Sequence, residues 1–291
     1  MNKRIIKILI SIWLIIALFL SAALIYGIVY ARSNGGIFDI IAFNIGPLKI
    51  QKEETLSIEN CNEIKLDFSS EDIIIYSTDD PKLKVVQKSS NKLKENEKFT
   101  VNTENNKISI GKAKASRNIN ILFFGYNRRL IELYIPKNYL KDLDINLSSG
   151  DIVFDSDINL NNFKCHQSSG DFNAKNLKVN SYNIRTSSGD IDINNLWGTG
   201  EVLVTSGDIK IAYKDISEYT KVTTTSGDIK LTIPLNLSFE FHGQCTSGDI
   251  NSNFQLNYEN KRGTKANAKV GNGPYKKIDV TTTSGDIKIQ Q

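Results

Sequence analysis

Seven carboxylates recur in equivalent settings. Asp151, Asp171, Asp190, Asp208, Asp228, Asp249 and Asp286 each follow Ser-Gly, and each precedes Ile except Asp171, which precedes Phe172. Three chemistries suit such a row: calcium ligation, acid–base attack on a glycan, or acceptance of backbone hydrogen bonds in a turn. Calcium takes about six to eight oxygens, whereas the repeat supplies one carboxylate per copy, and the GGxGxDxUx signature of calcium-binding rolls is missing. A catalytic pair needs a few carboxylates in one irregular site, not the same aspartate in equivalent places. The chain has no HExxH, P-loop, GxSxG or Cys-His catalytic context. The favoured expectation is structural, with no catalytic, metal or cofactor-binding residue assigned. A calcium-binding surface protein and a carbohydrate-active β-helix enzyme, lyase or hydrolase, stand as the alternatives.

The elements that would position these aspartates follow from their spacing. Gly150, Gly170, Gly189, Gly207, Gly227 and Gly248 lie 20, 19, 18, 20 and 21 residues apart, and Gly285 follows after 37, which reads as two shortened turns or one turn with an insertion. A period near 20 signals a solenoid. Ahead of each Ser-Gly-Asp the residues alternate. Ile145 and Leu147, Cys165 and Gln167, Ile184 and Thr186, and Val202 and Val204 are expected inside, with Asn146, His166, Arg185 and Leu203 between them facing out. After the motif the inward set resumes at Ile152, Phe172, Ile191, Ile209, Ile229, Ile250 and Ile287, one position out of parity. A strand slips parity only at a bend, and glycine takes positive φ cheaply. Each Gly-Asp pair, Gly150-Asp151 through Gly285-Asp286, is therefore read as a structural corner, with the carboxylate accepting N–H groups inside its own corner and Lys210, Lys230 and Lys288 neutralising in part. The fold class expected is all-β, a parallel β-solenoid or single-stranded β-helix with turns of about 20 residues.

Cys165 and Cys245 both fall on the inward face, four turns apart, so a disulfide between them is excluded and buried free thiols are expected. The odd cysteine Cys61 adds no framework, and His166 and His242 read as exposed strand residues. Upstream, Ser69-Ser70-Glu71-Asp72-Ile73 repeats the motif with Glu71 where Gly belongs. The 79 residues from Asp72 to Asp151 would hold close to four more turns.

Ile8 to Ala31 runs 24 residues without a charge, and a bilayer core takes about 20 helical residues. Lys3, Arg4 and Lys7 precede it, so the positive-inside rule predicts a single-pass transmembrane helix with residues 1-7 in the cytoplasm and the rest outside the cell. A cleaved signal peptide is the competing reading, but its apolar core is usually about 7 to 15 residues. Residues 32-54 read as a linker and cap, and 55-291 as the extracellular solenoid, degenerate over 55-140 and regular over 141-291.

The net charge of +4 gives no case for nucleic acid. Charge is uneven, however: residues 32-80 hold 4 basic and 10 acidic groups, and residues 81-129 hold 12 basic and 3 acidic. Residues 81-129 are the expected interaction segment, removable without loss of the fold. Within it Arg117, Phe123, Phe124, Arg128 and Arg129 surround the apolar run Ile121-Leu122-Phe123-Phe124-Gly125, which reads as either a buried strand or a protrusion toward a partner.

The Ser-Gly-Asp-Ile corners, the strands ending at Pro136 and Pro234, and the closing stretch Gly273-Pro274-Tyr275-Lys276-Lys277-Ile278-Asp279-Val280-Thr281-Thr282-Thr283-Ser284-Gly285-Asp286-Ile287 resemble the bacterial putative-adhesin family of β-strand-repeat proteins. The resemblance spans about residues 55 to 291. It implies a surface-exposed envelope protein, and the anchor placed before the domain resembles members of Lia-type envelope-stress circuits. It carries over no catalytic residue. The function expected is a non-catalytic, membrane-anchored scaffold, adhesin or sensor with a protein or cell-wall polymer as partner.

Overall fold

The computed structural model describes residues 47–112 and 127–291. The segments 1-7 and 8-31, most of 32-54, and Arg117, Phe123 and Phe124 lie outside the described residues, as does the apolar run around the two phenylalanines. Among the described residues no helix is long and apolar enough to cross a membrane.

The fold is all-β. In chain order the strands are β1 (Lys49–Leu56), β2 (Glu63–Phe68), β3 (Asp72–Thr78), β4 (Leu83–Ser89), β5 (Phe99–Glu104), β6 (Lys107–Lys112), β7 (Arg129–Pro136), β8 (Asp142–Ser149), β9 (Ile152–Ser169), β10 (Phe172–Ser188), β11 (Ile191–Ser206) and β12 (Ile209–Ser226). They continue as β13 (Ile229–Thr232), β14 (Phe239–Ser247), β15 (Ile250–Ser252), β16 (Asn257–Tyr258), β17 (Lys265–Val270), β18 (Lys276–Ser284) and β19 (Ile287–Gln290). Strand β1 starts inside the stretch read as linker, so the sheet begins upstream of residue 55.

β9 to β12 are long because each wraps most of a coil. Along β10, Phe172 and Ala174, then Leu177 and Val179, then Tyr182, Ile184 and Thr186 are buried, with polar residues between them. Parity slips after Ala174, after Val179 and again at the Ser-Gly-Asp corner. A coil therefore has three sides and three bends, two of which the spacing did not signal. Successive coils pair in parallel, Phe172 with Ile152 and Ile191, Ile184 with Cys165 and Val202. One continuous core results. Phe154, Phe163 and Phe172 lie within 5.7 Å of one another inside it, and each fully buried side chain of this size contributes roughly 1.5–3 kcal/mol.

The coils do not stack in chain order at either end. Asp72 is a direct neighbour of Asp151: the Ile73 N–H donates to the Asp151 carbonyl at 2.8 Å, and β3 pairs in parallel with β9. The four turns expected between these aspartates are not there. The intervening chain forms β6 and β7, stacked outside β2 and β3, while β5 pairs antiparallel with β6, β4 with β7, and β1 with β4. At the other end β18 and β19 insert between the β12–β13 coil and the β14–β15 coil. The 37-residue gap is thus one coil whose return path forms β16 and β17, antiparallel on the outer edge of β14. Antiparallel strands cover the last parallel strands at both ends, and β1 carries Lys49, Lys52, Glu53 and Glu54, charges that discourage further strand addition.

Cys61, Cys165 and Cys245 are buried and free. Because β18 is interposed, Cys165 and Cys245 lie five coils apart rather than four.

Candidate functional site

Three features of the surface bear on chemistry: the aspartate corner, the Glu71 corner, and a groove on the coil side that carries Trp197.

At the corner, Gly170, Gly189, Gly207, Gly227, Gly248 and Gly285 take φ between 119° and 147°. A Cβ at Gly189 would lie 2.0 Å from the carbonyl oxygen of Gly170, and the same close approach recurs from corner to corner. Glycine is required twice, by its torsion and by the stacking of backbone on backbone. Each carboxylate then accepts the N–H of the aspartate in the next coil. Asp171 donates to Asp151 at 2.9 Å, Asp190 to Asp171 at 2.9 Å, Asp208 to Asp190 at 2.8 Å and Asp228 to Asp208 at 2.8 Å. The ladder starts at Asp72, which takes the Asp151 N–H at 3.1 Å, and ends through Asp286 at Asp249. The hydrogen bonds expected inside each corner are instead bonds between corners, because neighbouring coils bring the next N–H closer than the corner's own. Lys210, assigned to neutralise this column, pairs with Asp192 at 2.7 Å. Behind the corner, the inward polar residues bond corner carbonyls: Gln167 to Gly150 at 2.6 Å, Thr282 to Gly227 at 3.2 Å, and the Cys245 thiol to Gly248 at 3.1 Å. Among the described residues no group of three or more His, Cys, Asp or Glu is arranged to hold a metal ion.

Glu71, in the place of a corner glycine, is fully buried. Lys112 contacts its Oε1, Arg129 approaches the same oxygen at 3.9 Å, and its Oε2 accepts the Ser70 N–H at 3.0 Å. Lys112 and Arg129 are the two stems of the segment 113–126. Arg129 also bonds Glu97 at 2.5 Å, whereas Arg128 is exposed and 4.0 Å from Asp72. Of the basic residues assigned to interaction, Arg129 is thus held in the fold, and only Arg128 is placed at the surface among the described ones.

The charged blocks find each other. Lys84 pairs with Glu53, Lys107 with Glu63 and Lys112 with Glu71, at the places where β4 and β6 bring residues 81-112 against residues 49–80. Three residues of the basic block thus complement its acidic neighbour, and the block supplies β4, β5 and β6. Removing 81-129 would remove an end of the stack, contrary to the expectation that the fold would survive.

The groove runs along the second of the two bends that the spacing did not signal. Asparagines staple both of these bends from coil to coil: Asn195 to Asn176 at 2.5 Å and Asn176 to Asp157 at 2.6 Å at one, Asn180 to Asn161 at 3.0 Å and Asn161 to Asp142 at 2.9 Å at the other. A sequence signal for these existed: Asp157, Asn176 and Asn195, like Asn161 and Asn180, are 19 residues apart. The second ladder stops at Asn180, because the next coil is one residue shorter at this bend: Lys178 pairs with Trp197 and Ser181 with Thr199, which leaves no residue in register with Asn180. A groove of about 460 Å³ remains, reaching from Leu140 past Asn159, Lys178 and Trp197 to Asp215. Trp197 is part-exposed at an outward strand position, with Lys178 and Asp215 as its register neighbours on either side.

Stacked coils with a glycine–aspartate spine define a class of all-β repeat protein. The chain belongs to the family described as Toastrack DUF4097, whose profile matches residues 61–196 and 173–290. No curated protein matches it significantly. Solved structures similar to it include one described as a putative adhesin from Bacteroides fragilis, 14% identical with a TM-score of 0.49, covering 83% of this chain and 97% of that one. A second, described as a putative adhesin from Parabacteroides distasonis, is 12% identical with a TM-score of 0.43, covering 84% and 97%. A third, described as a putative cell adhesion protein from Clostridium sporogenes, is 14% identical with a TM-score of 0.40, covering 84% and 100%.

Proposed function

We propose that the protein is a membrane-anchored, non-catalytic parallel β-solenoid that stands outside the bacterial cell as an adhesin, scaffold or sensor module, and that it serves an envelope-stress circuit of the Lia type. The observation that carries this reading is the aspartate ladder. Each repeated carboxylate is engaged by a backbone N–H of the neighbouring coil, so repetition builds a stiff rod rather than a reactive site. The apolar segment 8-31 supplies the anchor and the stack supplies reach. Partners are a protein or a wall polymer, engaged through segment 113–126, with Arg117, Phe123 and Phe124, and through the adjoining Arg128. Glu71 supports this role by tying both stems of that segment to the stack.

Two experiments test the reading. External protease on intact cells should digest the domain and leave the anchor, and a domain protected until lysis would overturn the topology. Crosslinking in the native envelope should capture a partner with the parent chain and lose it when 113–126 is replaced by a short Gly-Ser link. Capture that survives the replacement would remove that segment from the interface.

A further inference from the structure

We infer that the groove beside Trp197 binds an extended, uncharged β-linked glycan strand running along the coil stack. The inference rests on the envelope-binding reading above and gives it a site.

Four observations carry it. The first is the tryptophan itself. The chain has two, Trp13 in the segment read as the anchor and Trp197 on the domain. An indole facing outward on a strand adds little to the interior, but it offers a flat apolar surface with a polar N–H at its edge. That is the shape on which a pyranose ring stacks. The second is the interrupted ladder. In the coils below, the Asp142 carboxylate takes the amide of Asn161 and the Asn161 oxygen takes that of Asn180. Above it the next coil is a residue short: Trp197 pairs with Lys178 and Thr199 with Ser181, Gly198, with φ of 124°, packs its backbone onto Val179, and no residue stands in register with Asn180. No protein amide follows, so a sugar hydroxyl or acetamido N–H can take that rung.

The third is size and charge. At about 460 Å³ the groove is within the range of ligand sites, and Lys178 and Asp215 flank the indole with opposite charges. A net-neutral lining disfavours a polyanion and suits hydroxyl groups, which both donate and accept. The fourth is period. Coils repeat at the strand spacing of about 4.8 Å, and one β-linked pyranose advances by nearly the same distance. A strand laid along the stack therefore sets successive sugars against successive coils, with Lys178, Trp197 and Asp215 presented in turn.

The test uses the full-length chain in detergent micelles, with W13F as the background so that Trp197 is the single fluorophore. The probe is the β-1,4-linked hexamer of N-acetylglucosamine, with the corresponding glucose hexamer alongside. A saturable change in Trp197 emission is expected with at least one of them. N180A in the same background should weaken the titration several-fold, and S217R should block the far end of the groove. Trp197→Ala, followed by calorimetry, should weaken binding about tenfold, the loss of one stacking contact. L235S, at a loop residue 83% exposed and not among the groove-lining residues, should bind as the background does. Melting curves show whether each variant remains folded. Equal binding by W197A and S217R, no saturable signal from either hexamer, or crosslinking of a protein into the groove in place of glycan would each overturn the assignment. If the groove fails while capture through 113–126 persists, the envelope function stands and only this site is lost.

Discussion

The backbone N–H of Asp249 donates at 2.9 Å to the carboxylate of Asp286, which comes 37 residues later in the chain, and not to that of Asp228, 21 residues earlier. Asp286 itself donates to Asp228 at 2.8 Å. The last coil of the chain is therefore clamped between two earlier ones, and the ladder runs through it without a break. A terminal coil held on both faces has no exposed edge to fray, and the exposed edge passes to β14, where β17 covers it.

This order is checked by paired cysteines. Thr225 and Thr283 are outward neighbours in adjacent strands, since Thr224 pairs with Thr282 and Ser226 with Ser284. T225C/T283C should oxidise to a disulfide, visible as a mobility shift on a non-reducing gel. T225C/T246C, neighbours only if coils stack in chain order, should not.

At the spine, D190A leaves the Asp208 N–H without its carboxylate and should cost about 2 kcal/mol, the usual value of a hydrogen bond to a charged group. D190N, which keeps an acceptor oxygen, should cost less. G189A should cost more than either, about 3 kcal/mol or above, because it adds backbone strain to a clash with a carbonyl. Urea denaturation would rank them, and a ranking with G189A mildest would contradict the double requirement for glycine. Calcium or a chelator should leave Tm unchanged.

Glu71 is fully buried between two cations. E71Q removes the charge that Lys112 and Arg129 share and should destabilise by about 3 to 5 kcal/mol, as expected when one partner of a buried pair is lost. E71G restores the repeat's own residue, yet should be no better. A stability equal to the parent in either variant would show the clip to be dispensable.

Burial raises the thiol pKa of Cys165, and burial followed by Asp249 and Asp286 raises that of Cys245. Thiolate, the reactive species, is disfavoured at both. An aromatic disulfide reagent should therefore label the native protein slowly at neutral pH, at a rate set by opening of the stack, and label all three cysteines at once in denaturant. Rapid stoichiometric labelling of the native chain would place these residues at the surface.

The Lys94 N–H, at 2.9 Å, is the main cause holding the Glu97 carboxylate below its ordinary pKa; burial opposes it and Arg129 assists. A depressed folded pKa means the stabilisation is complete above the unfolded value, about 4.3, and is lost as pH falls through the folded one. The Tm gap between the parent and E97Q should be widest at neutral pH, start to narrow only as pH falls below the unfolded value, and close once the depressed folded pKa has been passed. A gap that stays constant down to pH 2 would exclude this linkage.

Much of this molecule is written in its period. The parity slip beside Gly170 and its equivalents marks a bend that no other residue could make, and alternation alone places Ile184, Val202 and Val222 inside. The other two bends were less legible because asparagine, unlike glycine, is at home in loops and strands alike, so Asn161 and Asn180 stand out only once their 19-residue spacing is noticed. The groove was not legible at all. It depends on Trp197, Asn180 and Gly198 coming from neighbouring coils at one level of a bend, and nothing local in the chain expresses that.

The sequence by itself determined the corners, the inward and outward faces and the burial of the thiols, since these follow from torsion and alternation within a single coil. Which coil lies on which was decided only in three dimensions. Every Ser-Gly-Asp corner offers the same N–H, the same carboxylate and the same bare glycine backbone, so any copy can stack on any other. The choice falls to the end strands that must be covered and to the buried charge at Glu71, and these place Asp72 against Asp151 and Asp286 between Asp228 and Asp249.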